Sequence, residues 1–400
     1  MLAPAFLFSP KVPSLTFVLD VDKLLQNLAI LDRVQKATGA KILLALKAFA
    51  CWKLFPKMSK AFQGCLFGTC ASSVHEARLG LEEFGGEVHA FAAAFAEDEI
   101  LELLGLCDHL TFNSVAQFRR FQPLIALEAK KRNLKLSLGL RVNPEHSEGA
   151  PDIYNPCHPN SRLGVRSSHF DPSLFNLGLS GIHFHTLCEQ GAWPLSRTLE
   201  ALKNKFDPFL KKCAWINFGG GHHITREDYD LELLINLILD FQKLYGATIY
   251  LEPGEACALN AGFLTATVLD IVEAQDLIAI LDVSPTCHMP DTLEMPYDPP
   301  VFYEHNFQVF KASINKEEAP FKYRLAGKSC LAGDVLKGLY GFKKPLDVGT
   351  RLIFGDMAIY SMVKTTTFNG LKLPDIGFYQ KEEFSLIKSF GYQDFKNRLS

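Results

Sequence analysis

The residue types that could do chemistry stand at the ends of short apolar runs. Lys47 follows Ile42-Leu43-Leu44-Ala45-Leu46, so an amine sits where a buried strand leaves the core. Arg141 lies near the end of Leu136–Val142, His185 closes Gly181–Phe184, and Glu252 closes Thr248–Leu251. Gly219-Gly220-Gly221 follows Ala214–Phe218 and precedes His222 and His223. A lysine amine can condense with a carbonyl. Imidazole and carboxylate groups hold or move protons. Consecutive glycines let backbone N–H groups turn toward one anion, and a helix expected from near Thr225 would add positive potential there. Each residue alone has a bland reading. Most strand-end lysines are solvated, glycine runs are often loops, and a lone histidine beside Phe184 is more often a core residue.

Their joint meaning depends on the scaffold. Strands ending at Lys47, Thr69, Phe91 and Asn113 recur at a 22-residue interval, each followed by a helical stretch. The alternation continues through Leu136–Val142, Gly181–His185, Ala214–Phe218 and Thr248–Glu252, with helices over about Leu195–Lys212 and Arg226–Tyr245. Eight strand–helix units over about 230 residues predict an α/β fold, a (β/α)8 TIM barrel; a doubly wound open sheet is the competitor. In such a barrel the strands' C-terminal ends carry the active site. Lys47, Asn113, Arg141, His185, Gly219–His223 and Glu252 then share one rim. Side chains on a strand alternate, so His183 occupies the barrel interior and His185 the pocket. Before the barrel, Phe17–Asp20 reads as a strand and Val21–Thr38 as a helix capped by Asp20 and ended by Gly39. After Gly254 come strand-like runs at Phe263–Asp282, Lys322–Gly327 and Arg351–Gly355. The expected division is a barrel over 20–260, with 1–19 and 261–400 forming a mainly β domain that takes the N-terminal strand.

Bulk composition narrows the function. At 400 residues the chain is long enough for two domains. A net charge of −3 with both signs mixed gives no reason to expect a nucleic-acid partner. No apolar run reaches transmembrane length, and the opening Met1–Phe6 lacks a basic region, so no membrane partner or secretion signal is expected. Ten scattered cysteines include no C-x-x-C pair, which favours reduced thiols in the cytoplasm over a disulfide set or zinc site.

A lysine amine and a phosphate-binding glycine run on one rim point to pyridoxal phosphate. Glu252 facing the pyridine nitrogen would keep that nitrogen protonated and make the ring a strong electron sink, which favours decarboxylation. The residues also resemble a known family, the fold type III pyridoxal-phosphate decarboxylases that include ornithine, arginine and diaminopimelate decarboxylases. The resemblance runs from Phe17 to the C-terminal segment. It rests on Ala45-Leu46-Lys47-Ala48, Ser161-Arg162-Leu163-Gly164-Val165, Phe184-His185, Phe218–Gly221 and Glu252-Pro253-Gly254. It continues in Gly327-Lys328-Ser329-Cys330-Leu331-Ala332-Gly333-Asp334, Gly355–Tyr360 and Phe368-Asn369-Gly370.

That resemblance implies an alanine racemase-like barrel and a homodimer with shared active sites. It implies Lys47 as the Schiff-base lysine, His185 as the ring-stacking residue and Glu252 as the partner of the pyridine nitrogen. Gly219, Gly220, Gly221 and Tyr360 would be phosphate contacts, and Arg141 a rim arginine near the cofactor. Cys330 would reach across the dimer to protonate the substrate carbon, Asp334 would meet the distal amine, and Arg162 would join the substrate contacts.

One departure is informative. Well-known members carry arginine after Glu-Pro-Gly, where it pairs with the phosphate; here the residue is Glu255. A carboxylate beside a phosphate would repel it, so either Glu255 points elsewhere or the phosphate relies on backbone donors. Glu252–Ala256 together with Thr286–Asp291 is similar to the branch that decarboxylates carboxynorspermidine or carboxyspermidine to norspermidine or spermidine in polyamine biosynthesis. Asp152, Glu189, Glu255, Asp291, Glu294 and Asp334 are the acids available for such a cationic substrate, with Glu255, Asp291 and Asp334 foremost. The alternative is meso-diaminopimelate decarboxylation for lysine biosynthesis, or decarboxylation of another basic amino acid. A non-catalytic cofactor carrier and an amino-acid racemase fit less well, since Cys330 and Tyr360 speak against the first and Glu252 against the second.

Overall fold

The computed structural model describes residues 3–149, 154–315 and 319–400. The chain separates into two compact units, Leu25–Cys257 and the pair of segments Met1–Leu24 and Ala258–Ser400.

The Leu25–Cys257 unit holds eight parallel strands. In order they are Lys41–Ala45, Gly68–Ala71, Glu87–Phe91, His109–Phe112, Ser137–Asn143, Leu179–His183, Trp215–Asn217 and Thr248–Leu251. The eighth strand pairs with the first, Tyr250 opposite Lys41 and Leu251 opposite Ile42, and the fourth with the fifth. The ring therefore closes, and this is a (β/α)8 barrel rather than an open sheet. Capping residues set the helices between strands. Ser73 accepts from the Glu76 N–H, Ser114 from the Gln117 N–H and Asp230 from the Leu233 N–H. The last of these caps corrects an expectation. The helix after the glycine run spans Leu231–Tyr245 and does not begin near Thr225. Residues 224–228 form turns instead, and the Thr225 hydroxyl donates to Ala256 O at 2.7 Å.

Alternation along the strands fills the barrel in layers. Trp215 spans the lower interior. An added Cβ on Gly181 would lie 2.1 Å from its indole, and one on Gly139 2.5 Å, so both positions must be glycine. Its Nε1–H donates to Ser137 Oγ at 2.8 Å. Beside it lies a polar floor. Glu87 accepts from the Lys41 ammonium, and from the Tyr250 hydroxyl at 2.9 Å. His89 and His109 stack with ring centroids 3.9 Å apart and planes 8° apart. Glu87, His89 and His109 are close enough to hold a metal. The parallel rings and the ammonium already on Glu87 instead make the cluster a closed plug.

The other unit contains an 11-stranded mixed sheet. The N-terminal strand Thr16–Asp20 enters it between Gly262–Glu273, antiparallel, and Asp375–Gln380, parallel. Asp20 also caps the Val21–Thr38 helix by accepting from the Lys23 N–H at 2.9 Å. A core including Leu264, Val268, Tyr303, Leu325, Tyr340 and Phe354 lies beneath the strands. Short helices at Pro285–His288, Asp291–Glu294 and Tyr392–Leu399 were not expected, because one or two turns carry too few periods to read. Among the described residues no helix is long and apolar enough to cross a membrane.

Candidate active site

Above the floor, the upper interior of the barrel carries Arg141, His183, Asn217 and Glu252, contributed by the fifth to eighth strands. All four are at least nine-tenths buried. Glu252 is the centre of this layer. Its Oε2 accepts from His183 Nε2 at 3.2 Å and its Oε1 from Asn217 Nδ2 at 2.7 Å. Burial alone would raise the carboxyl, but the interactions with His183 and Asn217 outweigh it and bring Glu252 down to about 2. Burial lowers His183 against the pull of Glu252, so the imidazole is neutral and donates through Nε2. Asn217 continues the chain, its Oδ1 accepting the Gly219 N–H at 2.8 Å. A strand-seven amide thereby joins the carboxylate to the glycine run. Sequence reasoning missed Asn217 as a functional residue; its place two residues from Trp215 on the inward face was the available signal.

His185 lies at the rim, partly exposed, and its Nδ1 accepts the Gly220 N–H at 3.3 Å. Burial, then the charges of Lys47 and Arg141, hold its ring well below the ordinary value. Arg141 donates to the His185 carbonyl at 3.0 Å and lies 4.8 Å from the Phe91 ring centre. Burial brings its guanidinium down to about 10 while Glu252 opposes the shift. Lys47 sits in the turn just past the first strand and is exposed. Its surroundings are Cys70, Glu76 and His185, all of which feel its charge. Gly254 allows this exit to pack, since a Cβ there would stand 2.5 Å from Ala48 Cβ.

The glycine run is tight. Gly219 and Gly221 have φ of +70° and +79°. A Cβ on Gly219 would meet Phe184 O at 2.3 Å, on Gly220 Glu252 O at 2.5 Å, and on Gly221 Leu187 O at 1.9 Å. Two of the three N–H groups are engaged by Asn217 and His185, and the next helix starts only at Leu231. The helix terminus expected to reinforce an anion site is therefore not at these glycines. Glu255 is paired within its own chain, its Oε2 lying 3.1 Å from His223 Nε2. The loop carrying Arg162 is pinned by Asn113, which donates to Arg162 O at 2.7 Å and accepts the Gly164 N–H at 2.8 Å. The Arg162 residue itself is exposed.

The remaining candidates lie in the other unit. Cys330 is exposed, and its N–H donates to Asn369 Oδ1 at 2.8 Å. Tyr360 has φ +48°, a strained value for a bulky residue. Asp291 and Glu294 both bind Lys364, at 2.6 and 2.7 Å. Asp334 is buried under its own chain's donors. Glu189 is exposed, with φ +52°. Asp152 lies outside the described residues.

An exposed amine, a neutral imidazole and a buried ionised carboxylate are the chemical set that pyridoxal phosphate requires. A family model described as pyridoxal-dependent decarboxylase, C-terminal sheet domain, matches residues 16–358. The chain belongs to the pyridoxal-dependent decarboxylases. It is 42% identical over 98% of its length, and 100% of the other chain, to a carboxynorspermidine/carboxyspermidine decarboxylase of Campylobacter jejuni. It is likewise 42% identical, over 97% of its length and 96% of the relative, to a carboxyaminopropylagmatine decarboxylase of Synechocystis. A crystal structure of carboxynorspermidine decarboxylase from Campylobacter jejuni, complexed with norspermidine, superposes with a TM-score of 0.82 at 40% identity. It covers 96% of this chain and 99% of that one. Pyridoxal phosphate is therefore this decarboxylase's cofactor, and the fold expected from the sequence is that of its relatives.

Proposed function

We propose that this chain decarboxylates carboxynorspermidine, carboxyspermidine or both, giving norspermidine and spermidine in polyamine biosynthesis. The observation that carries the substrate reading is the 42% identity along nearly the whole of both chains with the Campylobacter jejuni enzyme.

Lys47, just past the first strand, would hold the cofactor through its amine. His185, with its Nδ1 occupied by the Gly220 N–H and its charge suppressed, would serve as the ring-stacking residue. Glu252, kept ionised by His183 and Asn217, would hold a proton on the pyridine nitrogen of the bound group. When bound, the cofactor would supply an electron sink, the chemistry that decarboxylation needs. Gly219–Gly221 and Arg141 would line the phosphate side, and the family resemblance makes Tyr360 a further candidate phosphate contact. Cys330 of a partner subunit returns a proton to the substrate's α-carbon as general acid. Of the acids, Glu255 and Asp291 remain candidates for the substrate's ammonium groups, each already paired with a base of its own chain that a cation could replace. Arg162, exposed on its pinned loop, remains a candidate for the substrate's carboxylate. We further read the protein as a cytoplasmic homodimer, supported by ten free cysteines and by the family's shared-site geometry.

Equal identity to the Synechocystis enzyme supports a second reading, in which the substrate is carboxyaminopropylagmatine. Turnover measured side by side on carboxynorspermidine, carboxyspermidine, carboxyaminopropylagmatine and meso-diaminopimelate tests both readings. Release of carbon dioxide from the first two is expected; activity on diaminopimelate alone would overturn the proposal. Borohydride treatment of the loaded protein should attach the cofactor to Lys47, located by peptide mass. Lys47→Ala should take up no such label.

A further inference from the structure

The turn that carries Cys330 is built around a carboxylate. Gly327–Asp334 joins the antiparallel strands Phe321–Ala326 and Val335–Phe342. Asp334, 2% exposed, faces into this turn rather than out of it. Its Oδ1 accepts the Ser284 hydroxyl at 2.8 Å and the Thr286 N–H at 2.9 Å. Its Oδ2 accepts the Ser329 hydroxyl at 2.6 Å and the Ser329 N–H at 3.3 Å. The backbone is closed as well, with the Gly327 N–H on Asp334 O at 2.8 Å and the Asp334 N–H on Leu331 O at 3.0 Å. Gly327 is held bare by the same carboxylate, because a Cβ there would lie 2.1 Å from Oδ2.

With two donors on each oxygen the roughly four acceptor sites of the carboxylate are filled, and a substrate ammonium finds none unless the turn opens. What it does reach is Ser329, the residue before Cys330. It also reaches Ser284 and Thr286, at the start of the Pro285–His288 helix that Ser284 caps. We infer that Asp334 is a positioning residue: it ties the Cys330 turn to the Ser284–Thr286 segment and so fixes where the Cys330 thiol stands. It is not the acid that meets the substrate's distal amine. The kinetic part of this inference rests on reading Cys330 as the proton donor; the placement of the turn does not.

The test uses the full-length, cofactor-loaded protein with Asp334→Asn, Asp334→Ala and Ser284→Ala, each checked for an unaltered melting profile. Ser284→Ala removes a donor from Asp334 without touching the carboxylate, so it serves if the Asp334 variants fail to fold. Two readouts are taken: amide hydrogen exchange over 328–333, and kcat and KM separately. A displaced general acid costs up to roughly 10²-fold in kcat. The expected result is about 10-fold faster exchange, a kcat loss on the order of 10–10²-fold and KM within about 2-fold of wild type. An unchanged exchange rate with KM raised about 10-fold or more would overturn the inference and make Asp334 a substrate contact. Faster exchange, with kcat insensitive both here and in Cys330→Ala, would uphold the placement and refute Cys330 as donor instead.

Discussion

Glu252 keeps its charge in a buried layer because His183 and Asn217 each give it a hydrogen bond. Removing either donor leaves an ion short of a partner, the situation that costs most inside a protein. Asn217→Ala should lower unfolding free energy by about 1–3 kcal/mol in urea titrations. It should also weaken cofactor retention on dialysis, since the Gly219 N–H loses its acceptor in the same step. The pH dependence has a definite sign. Glu252 binds its proton less readily folded than unfolded, so its contribution is complete above the ordinary carboxylate range. It disappears as pH falls from about 4.5 to about 2. Acid titration of Glu252→Gln should therefore show a shallower loss of stability across that window than wild type. At this scale the sequence was informative about Lys47, His185 and Glu252, whose types are unusual at the ends of apolar strands. It was silent on Asn217 and on the His223–Glu255 pair. An asparagine inside a strand has many uses, and a contact between residues far apart in sequence leaves no local trace.

Among the elements, the strands of the barrel were readable because each is a short apolar run closed by a polar residue, and their even spacing revealed the alternation. The helices between strands were readable from the alternation, and Ser73 and Ser114 cap two of them. After the glycine run the apolar pattern is preceded by turn residues that also suit a helix, and only Asp230 caps. The glycines themselves were read as an anion cradle, whereas their tightest demand is packing against Phe184, Leu187 and Glu252. Gly221→Ala would need both a left-handed backbone and room that Leu187 O occupies. The variant should lose the cofactor on dialysis and melt several degrees lower, following a cost on the order of 2–3 kcal/mol. Gly181→Ala tests the layer beneath. Its methyl group would enter the Trp215 ring, and overpacking of about 1–3 kcal/mol should appear as a lower urea midpoint and a blue or red shift of tryptophan emission.

At the scale of the whole molecule, acid is the predicted weakness. Burial lowers His109 to about 3, and His222 and His288 to about 4, well under the ordinary 6.5. Each binds a proton more readily once unfolded. Their contributions are full above pH 6.5 and fade as pH falls toward 4. Urea midpoints should hold above about pH 6.5 and drop steadily from there toward pH 4, and His109→Phe, which removes one member of the floor stack, should flatten that slope. The two-unit arrangement shaped what could be read. A barrel announces itself by repetition, whereas the sheet of the other unit draws strands from both ends of the chain; its mainly β character and the joining of the N-terminal strand were expected, but the pairing order of its strands leaves no local trace.

The N-terminal strand has a consequence during synthesis. Thr16–Asp20 leaves the ribosome well before the strands it pairs with among the described residues, Gly262–Thr265 and Asp375–Tyr379. At ordinary elongation speeds the gap to the second neighbour is on the order of 20–70 s. Over that time five mostly buried residues have both edges open. The barrel can close on itself much sooner, when Tyr250 reaches Lys41. Capture of the first strand, rather than closure of the ring, is the step at which a nascent chain is most open to pairing with the wrong copy.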